Sequence, residues 1–137
     1  MKKNIEKPYL DDMALRVLKA HFQMIWHVGI DANKKTIPRK YRRKMRDFIG
    51  ELAAMIEMGE WEEALTIAFK NQSFGENLES AIKTLLNATE EEFEERGHGN
   101  CYEDIKLGTM RVAKVYEYMT GKDPMTGKKL HKGALDA

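Results

Sequence analysis

Apolar residues recur every three or four positions through most of this chain, and nowhere do they alternate long enough to specify a strand. The spacing predicts helices throughout. The first begins at Asp11 or Asp12 and runs to about His27. Leu15, Leu18, Phe22, Ile25 and Trp26 form its stripe, and Val17, Met24 and Val28 widen it. A helix apolar over more than half its circumference belongs at the centre of a fold. Gly29 then loosens the chain into a polar loop, Asp31 to Thr36. Pro38 suits the first turn of a second helix, where a missing N–H costs nothing. Tyr41, Met45, Phe48, Ile49, Leu52 and Ile56 follow on a single face, and Gly59 supplies a stop.

A third helix, about Glu60 to Lys70, is expected to bury Trp61, Leu65, Ala68 and Phe69. Ser73 with Glu76 has the spacing of a capping box for a fourth, which would bury Leu78, Ala81, Ile82, Leu85 and Leu86. Thr89 with Glu92 repeats that spacing for a short fifth helix ending at Gly97. Asn100 is the expected cap of a sixth, with Cys101, Ile105, Gly108, Val112, Val115, Tyr116 and Met119 on one side and Gly121 at its end. The predicted fold is an all-α, single compact bundle of five to six helices over residues 1–121. Residues 122–137 form an extended, turn-rich or partly disordered tail.

Composition narrows this picture without changing it. With 137 residues, 42% of them hydrophobic, the chain is one domain with a real core. Its one cysteine, Cys101, excludes an internal disulfide framework and a cysteine-based zinc site. Met1 to Lys7 has no apolar run, so no signal peptide is expected, and no stretch reaches the roughly 20 apolar residues of a membrane span. We expect a soluble, cytoplasmic protein with no membrane partner.

Charge changes the picture more. The totals nearly cancel, 23 Lys+Arg against 22 Asp+Glu, but they are not evenly placed. Residues 1–70 carry +4 and residues 71–137 carry −3. Between Lys34 and Arg46 the chain holds Lys34, Lys35, Arg39, Lys40, Arg42, Arg43, Lys44 and Arg46 and no acid. On a helix Arg39, Arg42, Arg43 and Arg46 fall on one arc beside the apolar face. Lys40 and Lys44 fall on another, near Asp47 and Glu51. Guanidinium groups side by side repel one another, and bound anions relieve that repulsion. The segment is the candidate site for nucleic-acid phosphates or for an acidic protein surface. The competing explanation is a solvated face paired with acids elsewhere, such as Glu90 to Glu95. Tyr41 has the chemistry to stack on a base, but its register places it in the core.

Other chemistry is thinner. A helix-turn-helix built from Glu62–Lys70 and Glu76–Asn87 would present Glu76 and Glu79 against a single Lys83, which repels a duplex. Phosphate contacts are therefore expected to be weakly sequence-specific. Glu91, Glu95, His98, Glu103 and Asp104 are the candidate ligands for a magnesium or manganese ion. Arg16 and His21 share an R-x4-H spacing but point about 140° apart on a regular helix. His21, among apolar neighbours, is expected to be a buried, hydrogen-bonded histidine, and Cys101 a core residue. His27 and His131 have no evident partner. No glycine-rich phosphate loop is present.

The leading expectation is a non-catalytic binding or regulatory protein with no cofactor, acting through residues 34–46 on nucleic-acid backbone. The first alternative is a small inhibitor or adaptor, of the kind phages and mobile elements encode, acting on a protein target. The second is a metal-dependent nucleotide or phosphate hydrolase using the carboxylates of residues 91–104. A homodimer is among the expected assemblies.

Overall fold

The first helix, α1 (Asp12–Gly29), starts where the Asp11 carboxylate accepts a hydrogen bond from the Ala14 amide at 2.9 Å. That bond satisfies one of the amide donors a helix leaves free at its start. The computed structural model of the protein describes residues 6–29, 35–71 and 73–136, with the side chains of residues 26–29 outside the description. Trp26, His27 and Val28 as side chains, and Lys34 as a residue, therefore lie outside the described residues. Ala14, Val17, Leu18, His21 and Phe22 on α1 are buried.

Six α-helices follow in order among the described residues: α1, α2 (Arg39–Glu57), α3 (Trp61–Ala68), α4 (Phe74–Asn87), α5 (Glu90–Glu95) and α6 (Tyr102–Thr120). The architecture is an all-α bundle. The broad apolar surface of α1 does what its width requires, packing against α2, α4 and α6. Leu18 and Phe22 meet Ile56, Leu65, Leu78, Ile82, Val112, Val115 and Met119 in one continuous core. Each such side chain, fully buried, contributes roughly 1.5–3 kcal/mol. Gly108 of α6 faces Val17 of α1, so closely that no side chain fits between them.

The helix ends have local causes. Met58 caps α2, and the next residue, Gly59, has φ +83°, a left-handed conformation that glycine adopts without strain. Gly59 N–H donates to Ile56 O at 3.0 Å and Glu60 N–H to Met55 O at 2.9 Å, the paired bonds that close a helix C-terminus. The predicted capping box of α5 is present. Thr89 Oγ1 accepts from Glu92 N at 3.2 Å, and Glu92 Oε1 accepts from Thr89 N at 3.4 Å.

Three predicted caps differ from the structure. Pro38 precedes α2 as its N-cap and is not in its first turn. Ser73 makes no capping bond, because its hydroxyl donates to Asn71 Oδ1 at 2.9 Å. Asn100 does not cap α6 either. Gly99–Cys101 forms a 3-10 turn that leads straight into the helix, with Cys101 exposed and outside the core.

After α6 the chain turns back on itself. Gly121 has φ +77°, and the His131 carbonyl occupies the place a Cβ would need. Lys122 and Lys129 form an isolated antiparallel bridge. Pro124, His131 and Gly133 are buried, and a 3-10 turn at Ala134–Asp136 packs on α6. His131, which the sequence leaves without a partner, has its Nε2 3.5 Å from Glu117 Oε1 and its Nδ1 3.0 Å from the Lys132 carbonyl.

Candidate functional site

Helix α2 is amphipathic along its whole length, yet it is packed along only half of it. Leu52 and Ile56, toward its C-terminus, are buried. Met45, Phe48 and Ile49 are half-buried, and Tyr41 is 48% exposed. The expectation that Tyr41 lies in the core is thus not met. The neighbouring elements cover the second half of the apolar face and leave the first half open.

The cations sit on this less-covered half. Lys35, Arg39, Lys40, Arg43, Lys44 and Arg46 are exposed, and Arg42 is half-buried with its Nε donating to the Ile37 carbonyl at 3.2 Å. Among the described residues none of them pairs with a carboxylate. The acids that form ion pairs do so elsewhere: Glu62 with Lys7 at 3.1 Å, Glu79 with Lys83 at 3.0 Å, Asp136 with Lys129, Asp11 with Arg111 at 4.0 Å, and Glu57 with Lys19. Glu90 to Glu95, the acids considered as internal partners, are exposed and bridge to none of these cations.

The start of α2 concentrates positive charge further. Its first turn holds no acid, and Pro38 offers no side-chain cap. The free amides and the helix dipole add about half a positive charge at that end. Arg39 and Lys40 therefore stand where a helix favours Asp or Glu. The arrangement costs local stability and presents an anion-attracting surface.

Beside the cations lies a feature the sequence did not disclose. Phe22, Tyr41, Met45, Phe48 and Phe74 line a cleft of about 140 Å³ between α1, α2 and the start of α4. Asn71, Ser73 and Asn77 supply its polar lining. The Phe74 ring is fixed by Phe22, centroid to centroid 5.2 Å at 59°, and by Phe69, 5.2 Å at 89°. The available hint was the residue choice on α2, where Tyr and Met replace the Leu and Ile found one or two turns later.

The acidic candidates do not gather. Glu91 and Glu95 lie on α5, His98 beyond its end, and Glu103 and Asp104 in the first turn of α6, all exposed. Among the described residues no three His, Cys, Asp or Glu side chains come together as a metal ion would need.

Elsewhere, His21 and Tyr116 are buried titratable groups displaced from their ordinary values. His21 is buried, with Nδ1 2.8 Å from the Val17 carbonyl and no partner for Nε2 among the described residues. Burial holds it below the usual histidine range, and the Val17 bond opposes this only in part. Tyr116 is pushed up to about 12, by burial first and then by the carboxylate of Glu79, to which its hydroxyl donates at 3.2 Å. Both face inward. No described helix is long and apolar enough to cross a membrane. No protein-family description, no curated protein and no solved structure matches this chain.

Proposed function

We propose that this chain is a non-catalytic binding protein that holds nucleic-acid phosphates along the first half of α2. The observation that carries this reading is the set of arginines Arg39, Arg42, Arg43 and Arg46, none paired with a carboxylate among the described residues. Guanidinium groups offer fixed, planar donors that match phosphate oxygens two at a time. The adjacent helix N-terminus adds amide donors and partial positive charge to the same surface. Helix α4 makes a poor reader of base edges, since its one cation, Lys83, is already bridged to Glu79. The contacts are therefore to backbone, and sequence preference is weak.

The test is a salt titration of oligonucleotide binding. About five phosphate contacts would lower affinity by roughly two to three orders of magnitude between 50 and 200 mM salt. Arg43→Glu combined with Arg46→Glu, both at exposed positions, should abolish most of the binding and flatten its salt dependence while leaving the thermal midpoint in place. Undiminished affinity in that folded double variant refutes the proposal. A wild-type protein with no affinity for any nucleic acid, but which pulls down one acidic protein, reassigns the same surface to a protein target.

A further inference from the structure

We infer that the cleft beside the basic row takes one unstacked base, so that the preferred ligand is single-stranded nucleic acid. The inference rests on the phosphate reading of α2 and adds to it the class of strand. Size is the first argument. At about 140 Å³ the cleft is well below the roughly 300–1,000 Å³ of pockets that enclose whole small-molecule ligands. It suits one planar ring with the rest of its molecule outside.

The lining is the second argument. Base–aromatic stacking needs an exposed ring, and Tyr41 presents one at 48% exposure. Phe48 and Phe74 continue the aromatic wall inward, and Phe74 is held rigidly by its two ring neighbours. The polar lining suits a heterocycle better than an aliphatic side chain. Asn71 Oδ1 accepts from Ser73 N at 3.1 Å and Ser73 Oγ at 2.9 Å, and neither bond engages the Asn71 amide hydrogens. Asn77 brings a second amide to the cleft.

Charge is the third. At about 100° per residue, Arg42 lies about 20° from Ile49 on one side of the cleft-facing strip, and Lys44 about 40° from Phe48 on the other. A strand whose base enters the cleft thus passes Arg42 on one flank and, on the other, Lys44 with the exposed carboxylates of Asp47 and Glu51 beside it, so the arginine flank is the one that holds its phosphates. A duplex has no base to offer without unpairing it, which costs a few kcal/mol that a single strand does not spend.

The decisive experiment compares three labelled probes by fluorescence anisotropy at one salt concentration: a single-stranded 12-mer, the same strand with every base removed, and a 12-base-pair duplex. Wild-type protein should bind the single strand roughly five- to 150-fold more tightly than the abasic strand, the range expected for one stacked base. Tyr41→Ala should remove that preference and leave abasic binding unchanged, and Tyr41→Trp should keep it. The Arg43→Glu, Arg46→Glu variant should weaken all three probes together. Equal wild-type affinity for the normal and abasic strands, or an unchanged preference in Tyr41→Ala, overturns the base cleft and leaves the phosphate reading standing. Failure of every probe to bind overturns both.

Discussion

Gly108 shows how far one hydrogen atom in place of a methyl group decides the packing of this bundle. A Cβ there would stand 2.7 Å from Val17 Cβ and 2.9 Å from Val17 Cγ1, and closer still to Cγ2. Two effects then oppose each other. Alanine is a better helix former than glycine by about 1 kcal/mol. Forcing a methyl into a packed contact costs typically about 1–3 kcal/mol. Because Val17 is β-branched and held on a buried helix, it has little room to yield, and the clash should win. Gly108→Ala should lower the thermal midpoint by a few degrees. Adding Val17→Ala should give a double variant less destabilised than the sum of the two single changes, a coupling that thermal unfolding of all three proteins would measure. The sequence places Gly108 correctly on the inner side of α6 but gives no sign of what it faces. Cys101 is misread for a related reason: an apolar register extends past the first turn, where a 3-10 turn carries the side chain to the surface. Tyr41 is misread because periodicity reports which side of a helix is apolar and not whether a neighbour reaches it.

Helix α2 carries its functional argument in its first turn. Arg39 and Lys40 face the positive end of the dipole with no acid and no cap to offset them. Arg39→Glu should therefore stabilise the protein by roughly 0.3–1 kcal/mol at low salt, since the new carboxylate would sit where the dipole favours it. The same change should weaken oligonucleotide binding. Urea unfolding and anisotropy on one preparation would show the two properties moving in opposite directions, and a variant both less stable and equally tight would contradict the reading of this turn. The helices themselves were legible from apolar spacing, and so were the ends set by short-range chemistry. Gly59 closes α2 and Thr89 with Glu92 opens α5 through bonds between residues three to five apart. Ser73 and Asn100 follow the same rules on paper and fail because a competing local partner or turn intervenes. The cationic row was legible as composition. The cleft beside it was not, because Phe22, Tyr41 and Phe74 come from three helices that only tertiary packing brings together.

Across the protein the net charge is close to zero, and α2 itself carries Asp47 and Glu51, but both lie on the lysine side of the helix, away from the arc of Arg39, Arg42, Arg43 and Arg46, so the arginine surface keeps its field. That separation makes binding and stability respond differently to pH. The surface proposed to bind contains no histidine, the side chain whose charge ordinarily changes between pH 5 and 8. Affinity at fixed salt should hardly change over that range. Stability depends on His21, whose buried ring is held neutral and whose pKa in the folded state lies below that of the unfolded chain. Between those two pKa values the unfolded chain binds the extra proton, so unfolding is favoured as pH falls. The stability His21 contributes is fully present above about pH 6.5 and declines below it, with a slope of at most about 1.4 kcal/mol per pH unit. Denaturant unfolding at pH 7.5, 6.5 and 5.5 should show that decline, and His21→Phe should flatten it even if the variant is less stable at every pH. An equal decline in the variant would place the acid sensitivity in another group. Binding measured on the same series should stay level wherever the protein remains folded, because the groups proposed to hold the ligand lie on α2 and are mostly exposed, whereas His21 lies buried on α1.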